Sequence, residues 1–402
     1  MIEEVAMTAA HQLPAMPFQQ PGLLVMSPLV RELQARSPIA RVQTPVGDQA
    51  WMVVRHAELK RLFGDARLGR SHRDPKNAAR INDSILFGGA TDNYETEHAD
   101  HVRMRALLTP FFSAKRMHAL RPRVEAIAAQ LLDAMADSTP PVDLHEAVSF
   151  PLPVLVICEL LGVPYEDRAQ FRVWTQGMAD LHDRQRASHA LGSLFAYMRD
   201  LVMHKRAHPG DDVISGLCDS EGSTLDDDYI AFLAAVLLFA GHETTVVRID
   251  VGTLLLITNH DQCKALLDDP SLLSTAVEEI LRLSDTGGAG VPRYARADIE
   301  FAGVTIKAGD AVVLNGGAGN HDERVFADAD RFDIAREPNQ HLTFGYGPYF
   351  CIGAPLARIE LQAVFGRLIP RFPMLRLAVP FEQLQVRSDL LTGGLTELPV
   401  VW

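Results

Sequence analysis

One cysteine of this 402-residue chain lies in a setting that favours metal binding. Cys351 is preceded by Gly345 and Gly347, whose lack of side chains permits a tight turn, and it is followed by Gly353. The turn leads into a predicted helix, whose unpaired N–H groups and dipole favour a thiolate over a thiol at Cys351. A single thiolate on such a loop is a good ligand for haem iron, and it suits haem better than an iron–sulfur cluster.

The other three cysteines do not suggest a second metal site. Cys158, Cys218 and Cys263 lie in apolar or amphipathic helical sequence. No two of the four cysteines are spaced as a C-x-x-C pair, which argues against a structural zinc site or a disulfide framework. We interpret these three as inert thiols inside helices.

A second group of reactive side chains interrupts a long apolar segment. Glu243 and Thr244 follow Ala240 and Gly241 in the middle of a predicted buried helix. A carboxyl group there is costly unless it is hydrogen-bonded or used. The small Ala240 and Gly241 would let a bulky group lie against the helix, and the Thr244 hydroxyl can bond to a preceding carbonyl. A kinked helix with a satisfied polar pair is the alternative interpretation.

Several charged side chains have spacings that are weak evidence by themselves. His101 and Arg105 are four residues apart and can face the same way on a helix. Glu279 and Arg282 are three apart and can pair, although surface ion pairs of this kind are abundant and weak. Arg293, on a predicted strand, has the side chain best suited to bidentate recognition of a carboxylate.

The elements that must position these residues are predicted to be mainly helical. Leu225–Asn259 is apolar nearly all round, which is typical of a helix buried within a large protein. Other helices are predicted from Ser27 to Ala35, along the apolar stripe Leu120–Met135, over Leu272–Leu283 and from Ala354 to Ile369. The β portion is predicted to comprise a hairpin around Gly47-Asp48, short strands within Pro292–Leu314 and a β-rich tail, while Asn315–Gln340 is predicted to be a loop. No repeat or linker divides the sequence, so residues 1–402 are predicted to form one domain of the α+β class, mainly α with minor β.

Composition and charge limit the classes of function. The net charge of −13 argues against nucleic acid as a general partner, because binding phosphates requires a basic surface. The longest apolar stretch, Tyr229–Gly241, is shorter than the roughly 20 residues that span a bilayer. Met1–Pro14 lacks the basic start and apolar centre of a signal peptide. We therefore expect a cytoplasmic protein that does not bind membranes.

The segment Thr343–Gly353, called the cysteine loop below, resembles the haem-binding loop of the cytochrome P450 family at every fixed position of F-G-x-G-x-x-x-C-x-G. The motifs at His101, Glu243, Glu279 and Arg293 follow the order of that family, so the resemblance extends over essentially the whole chain. It implies the cytochrome P450 fold, a triangular helical body with small β-sheets. It also implies haem b (iron protoporphyrin IX) between the long helix and the cysteine loop.

The resemblance implies roles for individual residues. Cys351 would bind the iron, while Glu243 and Thr244 would deliver protons during dioxygen activation. Glu279 and Arg282 would form a buried triad with Arg331 that supports the cysteine loop. The remaining expected haem contacts are His101, Arg105 and Arg293 at the haem propionates, and Ala240, Gly241, Phe344, Gly345, Tyr349 and Gly353 around the cofactor.

The sequence departs from the family at two places. Many bacterial relatives have histidine where this chain has Tyr349, and a phenol can donate one hydrogen bond but carries no positive charge near neutral pH. The resemblance therefore does not imply for Tyr349 the propionate contact that the family's histidine makes. Gly287–Gly290 is also unusually rich in glycine, which either enlarges the substrate pocket or makes a plain flexible loop.

The resemblance implies a monooxygenase that inserts one atom of dioxygen into its substrate. The expected reaction is hydroxylation or epoxidation of a bulky hydrophobic secondary metabolite, such as a macrolide-like polyketide. Oxidative coupling, desaturation or peroxide-driven oxidation at the same site is an alternative, and a non-catalytic haem sensor is a remote one. By family position, the expected substrate contacts lie within Arg70–Tyr94, Gln176–Phe195, Leu238–Ala240, Gly288–Val291 and Leu391–Thr392.

No fused flavin or ferredoxin module is expected, so a separate ferredoxin and ferredoxin reductase are the expected electron donors. Arg358, Arg367 and Arg371 follow the cysteine loop and could form a basic patch that receives an acidic ferredoxin.

Overall fold

The computed structural model of the chain describes residues 13–220, 225–284, 290–387 and 390–402. Within these ranges the α-helices are α1 (Pro28–Arg36), α2 (His56–Phe63), α3 (Glu97–Leu108), α4 (Ala114–Ala136), α5 (Pro151–Leu161), α6 (Arg168–Ala179), α7 (Arg184–Ala207), α8 (Val213–Asp219), α9 (Asp227–Thr258), α10 (His260–Asp268), α11 (Leu273–Leu283), α12 (Gly316–Asn320) and α13 (Ala354–Arg371). The strands are β1 (Ile39–Gln43), β2 (Gln49–Val53), β3 (Leu68–Gly69), β4 (Val142–Asp143), β5 (Val291–Ala295), β6 (Ile299–Phe301), β7 (Val304–Ile306), β8 (Ala311–Leu314), β9 (Arg376–Leu377) and β10 (Pro399–Val401).

The long helix α9 runs through the main hydrophobic core. The side chain of Asp226 caps its first turn by accepting a hydrogen bond from the Asp228 backbone. Helices α5, α7, α11 and α13 all pack against α9. Among the described residues α9 is the one helix long and apolar enough to cross a membrane, but 72% of its most apolar window is buried inside the protein. Such burial is the pattern of a core helix.

The largest sheet joins strands from residues 39–69 to strands from residues 291–314. It has five strands in the order β1-β2-β8-β5-β3. Strands β1 and β2 form the hairpin that the sequence predicts, with Ile39 opposite Val53. Strand β8 adds to β2 in parallel, and β5 pairs antiparallel with β8. Because β3 in turn pairs with β5, Gly69 lies opposite Tyr294, which brings the loop after β3 next to the end of β5.

The mainly α class with minor β is confirmed, as are the predicted helices and the hairpin. The segment 315–340, predicted to be a loop, begins with the short helix α12, whose N-cap Asn315 accepts a hydrogen bond from the Ala318 backbone. The tail contains the short strands β9 and β10, which form a three-stranded sheet with β4.

Candidate active site

The cysteine loop has the tight turn that its glycines predict. Gly345 and Gly347 have φ angles of +70° and +73°, in the left-handed region where a side chain is strained. A Cβ atom on Gly347 would also lie 3.0 Å from the Cα of Gly64. The loop is closed by the backbone N–H of Cys351, which donates to the carbonyl of Phe344 over 3.0 Å.

The turn presents Cys351 just before α13. Cys351 is exposed, whereas Cys158 and Cys218 are buried and Cys263 is partly buried. Its sulfur nevertheless lies deep enough in the loop that desolvation raises the pKa of the thiol. Backbone N–H groups of Gly353 and Ala354, which hydrogen-bond to the sulfur, act in the opposite direction and lower this pKa. A cation bound at the sulfur would favour the thiolate further, so this donor set suits a metal ligand.

Helix α9 carries a row of exposed residues although most of its surface is buried. Phe232, Val236, Ala240 and Thr244 are exposed and recur at every fourth position, so they lie along one side of the helix. We call these four residues the open row. Phe232 and Val236 remain 51% and 38% exposed, which is unusual for apolar side chains on a core helix. The open row therefore borders a space that a flat or bulky apolar group can fill.

The small residues of α9 have separate roles. Ala240 is exposed and belongs to the open row. A Cβ atom on Gly241 would lie 3.0 Å from the Ile157 side chain of α5, so the packing of α5 also requires a small residue there. Only Ala240 of the predicted substrate-contact range Leu238–Ala240 is exposed, because Leu238 and Phe239 are buried.

The Thr244 hydroxyl and the Glu243 carboxyl lie in different surroundings. The Thr244 hydroxyl donates to the Ala240 carbonyl over 2.9 Å, which is the bond that the sequence predicts. Glu243 is 5% exposed, and its Oε1 has no hydrogen-bond partner among the described residues. Burial raises the pKa of Glu243, although the charge of Arg387 partly opposes this effect. The Glu243 carboxyl therefore holds its proton at a higher pH than an exposed glutamate does.

The basic residues expected at the haem propionates lie against the cysteine loop. The Arg293 guanidinium lies 4.6 Å from the ring centroid of Tyr349, and the ring of His101 lies 4.2 Å from the same ring. Arg105 donates to the backbone carbonyl of Phe350 over 3.0 Å. We call His101, Arg105 and Arg293 the cation cluster.

The electrostatics of the cation cluster favour an anionic ligand. Burial lowers the pKa of Arg293 to about 10, and the charge of Arg70 acts in the same direction. Burial also lowers the pKa of His101, helped by the positive charges of Arg105, Arg70 and Arg293. Like charges crowded at a buried site are stabilised by an anion, and the two carboxylates of a haem are anions of the required kind.

Tyr349 itself is bound to a carboxylate that the sequence analysis did not identify. Its hydroxyl donates to Oε1 of Glu97 over 2.7 Å. Burial and this hydrogen bond raise the pKa of Tyr349 to about 12. An acidic residue in the first turn of a helix is common because it stabilises the helix dipole. The position of Glu97 at the start of α3 therefore offered no sign of this contact.

The prediction that Arg331 completes the buried triad is wrong. Arg336 occupies that position, with its Nε 3.1 Å from Glu279 Oε1, while two nitrogens of Arg282 bond the same carboxylate over 2.8 and 2.7 Å. Arg331 contributes only its backbone carbonyl, which accepts from Arg282 and Arg336. Its side chain is exposed, and its charge acts on Asp261. The chain turns between Arg331 and Arg336, so the guanidinium that reaches Glu279 comes from the later residue.

The three arginines of the predicted basic patch are each paired with an acid. Arg358 makes two hydrogen bonds to Glu278, over 2.6 and 2.8 Å. Arg367 lies 3.2 Å from Glu125, and Arg371 lies 2.8 Å from Asp133. These pairs cancel much of the positive charge that the sequence alone suggests.

Comparisons with known proteins agree with this geometry. A sequence model of the family described as Cytochrome P450 matches residues 182–383. The chain is 45% identical to pentalenolactone synthase of Streptomyces exfoliatus over 98% of this chain and 100% of that one. It is 39% identical to mycinamicin IV hydroxylase/epoxidase of Micromonospora griseorubida over 96% of this chain and 98% of that one. The solved structure of substrate-free PimD, described as a polyene macrolide antibiotic pimaricin epoxidase, is 46% identical with a TM-score of 0.88, covering 98% of this chain and 100% of that chain.

Proposed function

The chain belongs to the cytochrome P450 family and is a monooxygenase, and from that premise we propose that it hydroxylates or epoxidises a bulky, macrolide-like secondary metabolite. The observation that carries this proposal is the open row on α9, which leads from Phe232 to Thr244 and offers apolar wall to a large substrate. The names of the mycinamicin and pimaricin enzymes point to the same class of substrate.

We propose haem b as the form of the haem that the family implies, with Cys351 as the iron ligand. When bound, the haem supplies the iron centre at which dioxygen is activated, and the thiolate donates electron density to it. The cation cluster would hold the haem carboxylates. Phe344, Gly345 and Gly353 of the cysteine loop, together with Ala240 and Gly241 of α9, would line the cofactor.

We propose that Glu243 and Thr244 supply protons to the reacting oxygen. The Thr244 hydroxyl is exposed in the open row and is oriented by its bond to the Ala240 carbonyl. Glu243 is buried one residue away, and its pKa is raised because desolvation disfavours the anion, so it holds its proton to a higher pH than an exposed glutamate does. A positioned donor of this kind contributes roughly 10²–10⁴-fold to a proton-transfer step.

The substrate would lie against the open row and the loops that border it. Phe87 stacks with Phe239 of α9 at a centroid distance of 6.2 Å, so the predicted contact range 70–94 reaches α9. Val291 is 40% exposed at the start of β5. Gly287, Gly288 and Ala289 of the predicted glycine-rich border lie outside the described residues.

A binding titration tests the proposed substrate class. A macrolide panel should shift the visible spectrum of the haem-loaded protein, and Val236→Phe should weaken binding of the largest members by about tenfold because overpacking costs roughly 1–3 kcal/mol. Val173→Phe is the matched control, since Val173 is 64% exposed on α6 and outside the open row. The proposal fails if no macrolide or polyketide changes the spectrum.

We propose a ferredoxin with its reductase as the electron donor, and a cytoplasmic location. Because Arg358, Arg367 and Arg371 are paired with acids, Lys60 is the better candidate for contact with an acidic ferredoxin. Lys60 lies 4.9 Å from the ring of Tyr346 in the cysteine loop. No ion pair of Lys60 is present in the described part of the chain. Charge reversal at Lys60 should slow reduction by an acidic ferredoxin and weaken its salt dependence, whereas Arg371→Glu should have a smaller effect.

Turnover with peroxide alone, and none with electron donors, would favour the peroxide-driven alternative.

A further inference from the structure

A single buried carboxylate ties the cysteine loop to three other segments. Glu97, the first residue of α3, is 6% exposed. It accepts hydrogen bonds from the Arg70 backbone over 2.7 Å, the Ser71 backbone over 3.1 Å, the Ser71 hydroxyl, the Tyr349 hydroxyl over 2.7 Å and the Arg296 guanidinium over 3.2 Å. Five donors on one carboxylate hold its position and keep it ionised.

The backbone around Glu97 is shaped to receive this carboxylate. A Cβ atom on Gly69 would lie 2.5 Å from Glu97 Oε2, so any side chain at residue 69 would displace the group. Gly69 belongs to β3 and pairs with Tyr294 of β5, while Arg296 follows β5. Glu97 therefore connects α3, the loop after β3, the end of β5 and the cysteine loop at one point.

The bond to Glu97 determines what Tyr349 can offer to a ligand. A phenol has one proton to donate, and here that proton is directed at Glu97 Oε1. The hydroxyl of Tyr349 is thus unavailable as a donor to a second carboxylate. Its ring, in contrast, contacts two members of the cation cluster, with His101 at 4.2 Å between ring centroids and the Arg293 guanidinium at 4.6 Å. Arginine over an aromatic face is attracted to the ring, so the ring helps to place this cation.

We propose that Glu97 is a positioning residue for the haem carboxylates: it fixes the ring of Tyr349 as a support for His101 and Arg293, so that the cation cluster, and not residue 349, binds those carboxylates. The proposal rests on the haem binding proposed above. It explains how the chain can have tyrosine where many relatives have histidine. The negative charge of Glu97 also opposes the mutual repulsion of Arg70, Arg293 and Arg296 close by.

The first experiment compares Glu97→Gln, Tyr349→Phe and the double variant in the haem-loaded protein. The measurements are the rate of haem transfer to apomyoglobin and the midpoint potential of the iron. Each single variant should lose haem about tenfold faster, the size of effect expected when one charged hydrogen bond is lost. The double variant should lose haem no faster than Glu97→Gln, because the two residues act through the same bond.

A matched control separates this effect from a general change of charge on α3. Asp100 is an exposed carboxylate on the same helix, where it accepts hydrogen bonds from Thr96 and Asn93. Asp100→Asn should leave the rate of haem loss and the potential unchanged. If Glu97→Gln also leaves both unchanged while lowering thermal stability, Glu97 has only a structural role and the proposal is overturned.

The second experiment places histidine at residue 349. In Tyr349→His alone, the new imidazole should pair with Glu97 and give no gain in haem retention. In the double variant Glu97→Gln and Tyr349→His, the imidazole is released toward the haem carboxylates, so retention should recover relative to Glu97→Gln and the potential should vary with pH near neutrality. Haem retention in the double variant that is no better than in Glu97→Gln alone would contradict the proposal. A wild-type protein that binds no haem would instead refute the proposed function.

Discussion

The guanidinium of Arg336 lies 3.1 Å from Glu279 Oε1, on a carboxylate that is completely buried and already paired with Arg282. The same carboxylate accepts hydrogen bonds from the backbone of Asp333 and the side chain of Asn339, each over 3.0 Å. Arg282 also donates to the backbone carbonyls of Asn320 and Ala329. The segment that leads to the cysteine loop is thus attached to α11 through one buried ion cluster.

Removing Arg336 should destabilise the protein, whereas removing Arg331 should not. Arg336→Ala leaves Glu279 without one charged partner in a buried site, a loss of about 1.5–3 kcal/mol. Arg331→Ala removes an exposed side chain and keeps the backbone carbonyl that the cluster uses. Urea unfolding of the haem-loaded variants measures the difference. Equal unfolding free energies for the two variants would contradict the assignment of Arg336.

Replacing Thr244 should separate electron consumption from product formation. Thr244→Ala removes the exposed hydroxyl of the open row, so the fraction of electrons recovered in product should fall about tenfold or more and hydrogen peroxide release should rise. Thr253→Ala is the matched control, because Thr253 makes the same kind of bond, to the Ile249 carbonyl over 2.8 Å, at a buried position on α9. A similar loss of coupling in both variants would show that the effect is not specific to Thr244.

The raised pKa of Glu243 should appear in the pH dependence of coupling. Burial keeps this carboxyl protonated to a higher pH than usual, so its capacity to donate is present at low pH and is lost as the pH rises through its raised pKa. The fraction of electrons recovered in product should therefore decline with rising pH in the wild type. Glu243→Gln has no titrating proton and should give a low, flat profile. A profile in Glu243→Gln that still declines like the wild type would count against this role.

Glu97 should make the protein sensitive to acid. Its hydrogen bonds lower the pKa of Glu97 from 4.5 to about 2, although burial acts in the opposite direction. The stability it contributes, at most about 3 kcal/mol, is complete above its unfolded pKa and is lost as the pH falls from 4.5 to about 2. The unfolding free energy of Glu97→Gln should therefore fall less steeply than that of the wild type over this range. Parallel pH profiles would contradict the low pKa of Glu97.

Replacing Cys351 tests the iron ligand directly. The reduced, carbon-monoxide-bound protein should show the red-shifted Soret band of thiolate ligation, and Cys351→Ser should abolish that band. Cys263→Ser should retain it, because Cys263 lies on α10 and outside the cysteine loop. An imidazole-type spectrum in the wild type would overturn the assignment of Cys351.

Features that depend on local conformation could be predicted from the sequence. The glycines around Cys351 permit the left-handed backbone that a tight turn requires, and the turn and the following helix are both present as predicted. The length and apolar character of α9 likewise predicted a buried helix. The bond from Thr244 to the Ala240 carbonyl spans one helical turn, and such a contact depends only on the helix that contains it.

Contacts between distant parts of the chain were decided by the tertiary structure. Arg331 and Arg336 are both arginines near the same turn, and only the path of the backbone determines which guanidinium reaches Glu279. The side chain of Tyr349 could have faced a haem carboxylate, but pairing of β3 with β5 and the position of α3 bring Glu97 to its hydroxyl. Hydrogen bonds and close ion pairs form only between groups about 3 Å apart, and the residues that come so close to each other are set by packing and not by their order in the sequence. The identity of Cys351 as the candidate iron ligand was therefore readable in the sequence, whereas the set of partners around it was not.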